Sequence, residues 1–331
     1  MGALSIHRNL VAVAAAGALL AALPATPAHA ACVKATNIEA IIDDSGSMGA
    51  TDPDLLRVRG LKLLINTLST GTFFGAVEFG GNFFSDDTTP AADTVFKPEA
   101  VGPNAAAMGT AMDNLIHADN GGTDYNAAFA QSDADNPNAD ARIFLTDGGH
   151  DIGTYNNGHL NHKVPTYVIG FSQGIQDEDK TRLNQIATDT GGRYFPETDS
   201  SLLQSVMNDI GSDLTCQSAP KSFTDQLAAG KSVGHSILIA GNTKSAKIVL
   251  TWASPLDAFT ISNFKIVRHG KTVAKAAKVR KLKVTRTATD TYVVVQLSRL
   301  VKGTLRFKVK ATKVGSGAPQ ATLTTQVSRH K

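Results

Sequence analysis

Five oxygen-bearing side chains occur in a spacing that suits the binding of a divalent cation. Asp43, Ser45 and Ser47 lie in one short segment, Asp-Asp-Ser-Gly-Ser, at the end of an apolar run. Thr123 lies in a Gly-Gly-Thr-Asp segment, and Asp147 directly follows the apolar segment Arg-Ile-Phe-Leu-Thr. Mg²⁺ prefers oxygen ligands, takes few of them from the protein and keeps several waters. These residues therefore predict a metal site, although serine and aspartate at strand ends also commonly form turns.

Alternating strands and helices between residues 31 and 218 would position these side chains. Apolar segments predict strands at residues 37–43, 72–79, 94–96, 142–146 and 164–170. Segments of helical periodicity predict helices at residues 52–69, 103–116, 123–132, 177–190 and 200–214. This alternation is typical of an α/β fold with a doubly wound, mostly parallel sheet. Such sheets bind ligands at the carboxyl ends of their strands, which is where Asp43 and Asp147 lie.

The pattern D-x-S-x-S, then a threonine and then an aspartate, resembles the metal-ion-dependent adhesion site of the von Willebrand factor A domain family. The resemblance covers about residues 36–215 and implies that family's Rossmann-like fold. It also implies that Ser45 and Ser47 hold the ion directly and that Thr123 does so directly or through water. Asp43 and Asp147 would act mainly through water. The ion implied is Mg²⁺, with Mn²⁺ or Ca²⁺ as alternatives.

A site of this kind implies binding to a protein partner. With mostly neutral groups around it, the ion keeps positive charge and an exchangeable water, which a carboxylate of the partner can displace. Two further carboxylates, Asp44 and Asp124, adjoin the predicted ligands and would raise cation affinity or shift the preference towards Ca²⁺ or Mn²⁺. The first functional hypothesis is a secreted, metal-dependent adhesion or protein-binding protein.

A histidine-rich segment follows the last predicted ligand, with His150, Asp151, His159 and His162 close together. Imidazole and carboxylate groups bind zinc, so a secreted hydrolase is one hypothesis for this loop. The spacing matches no zinc motif, and the sequence has no H-E-x-x-H, G-x-S-x-G or P-loop pattern. A solvated loop in a protein that is not an enzyme is the favoured interpretation.

The two parts of the chain differ strongly in charge. Residues 1–218 carry 11 Lys and Arg against 26 Asp and Glu, a net charge of −15, whereas residues 219–331 carry 21 against 3, a net charge of +18. Short β-branched segments with alternating polarity predict a β-sandwich in residues 219–331. They lie at residues 236–240, 246–252, 263–268, 282–287, 291–297, 304–311 and 321–327. The arrangement is loosely similar to calcium-activated chloride channel regulators, and Leu227–Lys231 to pre-peptidase C-terminal domains.

A dense basic run crosses residues 271–286 of the predicted sandwich. Its candidate polyanion-binding residues are Lys275, Lys278, Arg280, Lys281 and Lys283. One interpretation is an edge strand that lysines protect from aggregation. The other is attraction to an anionic cell-surface polymer, and the scarcity of aromatic residues argues against specific nucleic-acid binding. The second functional hypothesis is therefore a surface-retention or scaffold protein whose metal site is structural.

Residues 1–30 have the features of a secretory signal peptide. An apolar stretch is followed by prolines and by Ala28-His29-Ala30, which predicts cleavage after Ala30. A retained anchor and lipidation at Cys32 are the alternatives, and no other segment is apolar enough to span a membrane. A secreted, extracellular or periplasmic protein is thus expected, with surface association as an alternative. Because export leads to an oxidising compartment, Cys32 and Cys216 are predicted to form a disulfide rather than two buried thiols.

Overall fold

The structure is a computed structural model that describes residues 34–81, 90–118, 121–171, 175–196, 200–217, 220–275, 283–288, 291–318 and 320–330. Only the backbone is described for residues 200–202 and 283–288. The predicted signal peptide, Cys32 and three residues of the basic run, Lys278, Arg280 and Lys281, lie outside these ranges.

The first part of the chain forms a six-stranded sheet. Its strands are β1 (Asn37–Asp43), β2 (Phe73–Phe79), β3 (Ala92–Ala100), β4 (Ala141–Thr146), β5 (Thr166–Gly170) and β6 (Arg193–Phe195). The strand order is β3-β2-β1-β4-β5-β6, and every neighbouring pair is parallel except β2 with β3. The predicted α/β class is confirmed, and β1 and β4 are neighbours, as a site shared between their ends requires.

Helices cover both faces of this sheet. They are α1 (Met48–Thr51), α2 (Leu56–Thr67), α3 (Val101–Leu115), α4 (Tyr125–Asp135), α5 (Asp177–Thr190) and α6 (Ser200–Leu214). Successive side chains of β1 point to opposite faces of the sheet, so the core has two halves. Ile42 packs with Leu61 of α2 on one face, and Ile41 packs with Phe129 of α4 on the other. No helix in the described part of the chain combines the length and apolarity needed to cross a membrane.

The second part of the chain forms two antiparallel sheets that enclose a separate core. Its strands are β7 (Lys221–Leu227), β8 (Ser232–Ile239), β9 (Ser245–Trp252), β10 (Ala258–Arg268), β11 (Lys271–Lys275), β12 (Lys283–Ala288), β13 (Tyr292–Ser298), β14 (Gly303–Lys313) and β15 (Ala321–His330). One sheet has the order β11-β10-β14-β8, and the other has the order β12-β13-β9-β15-β7. The sandwich is therefore confirmed.

Two strands of the sandwich, β7 and β11, are absent from the sequence prediction. Both lie at sheet edges, where a strand has one neighbour and needs few apolar residues, so their sequences (KSFTDQL and KTVAK) carry little hydrophobic signal. The basic run begins on β11 and continues on β12, and these strands are edges of different sheets. Lys275 and Lys283 therefore belong to two separate edges.

A fourth apolar cluster joins the two parts of the chain. Leu63 of α2 packs with Val249 of β9 and with Tyr292 and Val294 of β13. Asn66 of α2 also donates a hydrogen bond to the Tyr292 hydroxyl at 3.0 Å. The five-stranded sheet thus packs on the sandwich core with one face and on helices with the other. This explains why β9 is buried along almost its whole length, since both of its faces are covered.

The predicted disulfide has indirect support from the backbone. The N–H of Ala35 donates to the carbonyl oxygen of Leu214 at 2.9 Å, so the segment before β1 lies beside the end of α6. Cys32 precedes Ala35 by three residues, and Cys216 follows Leu214 by two. Because Cys32 lies outside the described residues, the pairing stays a prediction.

An acidic side chain lies inside the α/β part at a distance from the predicted metal site. Glu39 of β1 is fully buried, and its Oε2 accepts a hydrogen bond from Asn136 Nδ2 at 2.9 Å. Its Oε1 has no hydrogen-bond partner among the described residues. Burial, opposed in part by the Asn136 hydrogen bond, raises the pKa of Glu39 to about 8. The carboxyl group is therefore mostly protonated at neutral pH.

Glu39→Gln is expected to flatten the pH dependence of stability. Between pH 4.5 and about 8 the folded state holds a Glu39 proton that the unfolded state has lost, so the free energy of unfolding falls as pH rises through this range. Glutamine keeps the hydrogen-bonded oxygen and removes this dependence, which at about 1.4 kcal/mol per pKa unit amounts to a few kcal/mol. Urea unfolding at pH 5 and pH 9 measures it. Parallel pH curves for the two proteins would contradict the prediction.

Candidate metal site

The first predicted ligand connects the ends of the two central strands. Asp43 is fully buried at the end of β1. Its Oδ1 accepts a hydrogen bond from the Ser45 N–H at 2.9 Å, and its Oδ2 accepts one from Thr146 Oγ1 at 2.6 Å. Thr146 is the last residue of β4, so this second bond joins β1 to β4 at their carboxyl ends. Thr146 is not among the residues predicted from the sequence, where its only signal is its place next to Asp147.

The hydroxyl groups extend this connection to the other carboxylate. The Oγ atoms of Ser45 and Ser47 lie 3.1 Å apart, and Ser47 Oγ donates to Asp147 Oδ1 at 2.7 Å. The structure thus brings four of the five predicted ligands together, with Asp43 at one end of the chain of contacts and Asp147 at the other.

Thr123 lies on a loop that glycines hold against the first one. The Gly46 N–H donates to the Gly121 carbonyl oxygen at 3.1 Å. A Cβ atom at Gly121 would lie 1.7 Å from the Gly80 carbonyl oxygen, so only glycine fits there. Thr123 itself is buried, and its N–H donates to Asp151 Oδ1 at 2.6 Å. Among the described residues its side chain makes no hydrogen bond to the other four, so it is near the cluster rather than bonded into it.

The electrostatics of the cluster favour a cation. Asp43 and Asp147 are both buried, and neither forms an ion pair with any Lys or Arg that the structure describes. Burial and the charge of Asp147 raise the pKa of Asp43 to about 6. Two buried carboxylates that lack a counter-charge are costly unless a cation or a proton compensates them.

The neighbouring carboxylates, Asp44 and Asp124, have other partners, and their predicted effect on cation binding stays a prediction. Asp44 Oδ1 accepts from Arg57 Nη2 at 2.5 Å, and its Oδ2 accepts from the His117 N–H at 2.8 Å. Asp124 caps α4, where it accepts from the Asn126 and Ala127 N–H groups. These carboxylates are adjacent to the predicted ligands in the sequence. In the structure Asp44 contacts Arg57 and the His117 N–H, and Asp124 contacts the first N–H groups of α4.

Arg57 is a buried residue that no sequence pattern singles out. It is fully buried on α2 and also donates to Asp52 Oδ2 at 3.1 Å. The Asp52 carboxylate also accepts hydrogen bonds from the N–H groups of Leu56 and Arg57. It therefore caps α2, although it lies four residues before the first residue of that helix. The predicted start at residue 52 is early for this reason. Arg57 thereby ties the loop that carries the predicted ligands to the start of α2.

The histidines after Asp147 are spread apart. His150 Nδ1 accepts from the Tyr125 N–H at 3.1 Å, and its ring packs beside Tyr125 and Tyr155. Burial lowers the pKa of His150, which favours the neutral ring. His159 lies beside Asp133, and within the described ranges no group of three His, Cys, Asp or Glu side chains is placed to hold a metal. Nothing described here forms a zinc site.

Several proteins of known structure are similar to this chain. The chain is similar to a von Willebrand factor type A protein from Catenulispora acidiphila, with 18% identity, a TM-score of 0.45, and coverage of 85% of this chain and 59% of that one. It is also similar to proximal thread matrix protein 1 from the mussel byssus, described with zinc in its adhesion motif, with 23% identity, a TM-score of 0.43 and coverage of 60% and 50%.

A third similar structure is the open conformation of a pilus adhesin from Lactobacillus rhamnosus GG. It has 12% identity, a TM-score of 0.45, and coverage of 88% of this chain and 43% of that one. The chain therefore spans between 43% and 59% of the length of these three proteins. No curated protein sequence matches it.

The sequence model of the von Willebrand factor type A domain matches residues 37–209, which is just over half of the 331 residues. This range begins with β1 and ends within α6, so it contains the whole six-stranded sheet and all five predicted ligands. The chain belongs to the von Willebrand factor type A domain family.

Proposed function

We propose that this protein binds a carboxylate of a partner protein through a divalent cation held at the carboxyl ends of β1 and β4. One observation carries the proposal. Asp43 and Asp147 are buried without a cationic partner among the described residues, and the Ser45 N–H together with the hydroxyl groups of Ser45 and Ser47 connects them. A third carboxylate, that of Asp44 on the same loop as Asp43, pairs with Arg57. Asp43 and Asp147 thus differ from Asp44, because they have no cationic side chain beside them among the described residues.

The five side chains have the chemistry that a hard cation requires. Ser45, Ser47 and Thr123 would offer hydroxyl oxygens, and Asp43 and Asp147 would hold ordered water or the ion itself. When bound, the ion supplies positive charge and one exchangeable position. Mg²⁺ fits this donor set best, because it accepts few protein oxygens and keeps its waters, with Mn²⁺ or Ca²⁺ as alternatives.

A binding role suits these residues better than catalysis. The serine hydroxyls are engaged with each other and with Asp147, and Nδ1 of His150 accepts a hydrogen bond from the Tyr125 N–H. Membership of an adhesion-associated family supports the same role. We further propose that residues 1–30 direct export, so that the partner is extracellular or periplasmic.

Retention on an acidic peptide tests the proposal directly. The full mature chain is passed over immobilised peptides that contain glutamate, or glutamine at the same positions, in Mg²⁺ or in EDTA. Retention is expected only on the glutamate peptide in Mg²⁺ and should fall roughly tenfold or more in Asp147→Ala, a loss of about 1.4 kcal/mol or more. Asp177→Ala removes an equal charge from a fully exposed position and should have no effect. Retention that survives EDTA would refute the mechanism, because attraction by surface lysines needs no metal.

A further inference from the structure

The outer face of the four-stranded sheet carries cations that face one another across three strands. Lys275 of β11 is paired with Lys265 of β10, and Lys265 is paired in turn with Arg306 of β14. Directly opposed residues of antiparallel strands share a face, with Cβ atoms about 4.5–5.5 Å apart. Lys308, two residues beyond Arg306, adds a fourth cation to this face. These four residues form the basic face.

The basic face has no counter-charge in the described part of the chain. None of its four side chains forms an ion pair there. The acidic residues of the sandwich that the structure describes have other partners, because Asp225 pairs with His235 and Asp257 accepts from the Gly315 N–H. Like charges placed directly opposite each other destabilise a sheet. A bound anion would remove this repulsion.

A β-bulge places Lys265 on the basic face. The register of β10 against β14 shifts between Ser262 and Lys265, and Asn263 adopts a left-handed backbone with a φ of 58°. The extra residue turns Phe264 into the core and returns Lys265 to the outer face. Without the bulge, simple alternation would place Phe264 on the same side as Ser262 and would bury Lys265.

A glycine makes the basic face concave. Gly234 of β8 is paired with Lys308 and contributes no side chain. A Cβ atom added there would meet only the Phe307 carbonyl oxygen, at 3.9 Å. The resulting concavity has a volume of about 860 Å³, and its lining contains all four cations and no acidic residue. The other polar residues of the lining are Ser236, Asn263, Thr272 and His235, and His235 contacts Asp225.

We propose that the basic face binds an anionic polysaccharide. Ammonium and guanidinium groups would pair with its sulfate, phosphate or carboxylate groups, and the nearby hydroxyl and amide groups suit sugar hydroxyls. The aromatic rings of the lining, Phe264, Phe307 and His235, are buried and offer little surface for stacking a base. A concave surface also fits a narrow chain better than a flat bilayer.

This surface differs from the basic run of the sequence. Only Lys275 belongs to both. Lys265, Arg306 and Lys308 lie outside that run, and the strands that bear them meet only in the folded sheet. The proposal is also independent of the metal site, because no residue of the basic face belongs to the metal-binding cluster.

Titration of the full mature chain with dextran sulfate in EDTA tests the proposal. Binding is expected at low salt, with none to uncharged dextran, and should weaken as salt shortens the Debye length. The triple variant Lys265→Gln/Arg306→Gln/Lys308→Gln should bind roughly tenfold more weakly. The control Lys231→Gln/Lys244→Gln/Lys302→Gln removes the same charge from exposed positions between strands and should lose much less affinity. Equal losses in the two variants would overturn the proposal, since net charge alone would then explain binding.

Two further measurements test the geometry and the class of ligand. Gly234→Ile fills the concavity without a change of charge and should weaken binding, whereas unchanged affinity would overturn the site. The first triple variant should melt roughly 1–3 °C higher than the parent protein in low salt without polymer, because it removes the cross-strand repulsion. Tighter binding of single-stranded DNA or of anionic phospholipid vesicles than of dextran sulfate would overturn the assignment to polysaccharide.

Discussion

Alanine at both Ser45 and Ser47 is expected to abolish the thermal stabilisation that Mg²⁺ or Mn²⁺ confers on the protein. A ligand that binds only the folded state adds RT ln(1 + [L]/Kd), which is about 2.7 kcal/mol at one hundred times Kd. For a chain of this size that corresponds to a melting temperature roughly 5 °C higher. The double variant lacks two of the three hydroxyl donors, so its melting temperature should be the same with metal and in EDTA. Differential scanning calorimetry measures both values.

A matched control separates loss of the metal site from loss of two hydroxyl groups. Ser222 and Ser232 are exposed on strands of the sandwich, and their double replacement by alanine should leave the metal-dependent shift intact. An undiminished shift in Ser45→Ala/Ser47→Ala would refute the assignment of the ligands. A normal shift in the parent protein together with no retention on acidic peptide would instead indicate a structural metal, as the second functional hypothesis requires.

Arg57→Met is expected to lower the free energy of unfolding by about 3–5 kcal/mol, because it leaves buried carboxylates without their partner. Arg57 and Asp44 are both fully buried, and Asp52 is nearly so. Methionine preserves most of the buried apolar volume, so the measured loss should report the charge rather than a cavity. Urea unfolding of the two proteins at the same pH gives the difference.

A surface ion pair on the same helix provides the control for Arg57. Lys62 contacts Asp113 at 2.5 Å, but both side chains are partly exposed. Lys62→Met should therefore cost less than about 1 kcal/mol. If the two variants lose similar stability, the Asp44–Arg57–Asp52 network contributes no more than an exposed pair. Asn at both Asp44 and Asp52 in the Arg57→Met background should restore part of the loss, because the unpaired charges are then gone.

The α/β class and the clustering of four of the candidate ligands could be predicted from the sequence, because both depend on local order along the chain. The first candidate ligands follow the strand that ends at Asp43. Thr123 comes just before a helix and Asp147 directly follows a strand, so their order along the chain indicates a shared site at one edge of the sheet. Helical periodicity placed α5 and α6 at their observed bounds. The edge strands β7 and β11 were missed, because a strand that buries little apolar surface has little periodic signal.

The partners of charged groups were decided only by the tertiary structure. Asp44 is adjacent to a predicted ligand in sequence, but Arg57, thirteen residues later, takes its carboxylate away from the site. Lys265 and Arg306 meet on one face because a bulge shifts the register between two strands that are far apart in sequence. A sequence shows which residues are near along the chain, whereas the energy of a charge depends on burial and on what lies within a few ångströms. Those distances exist only once the sheets have formed.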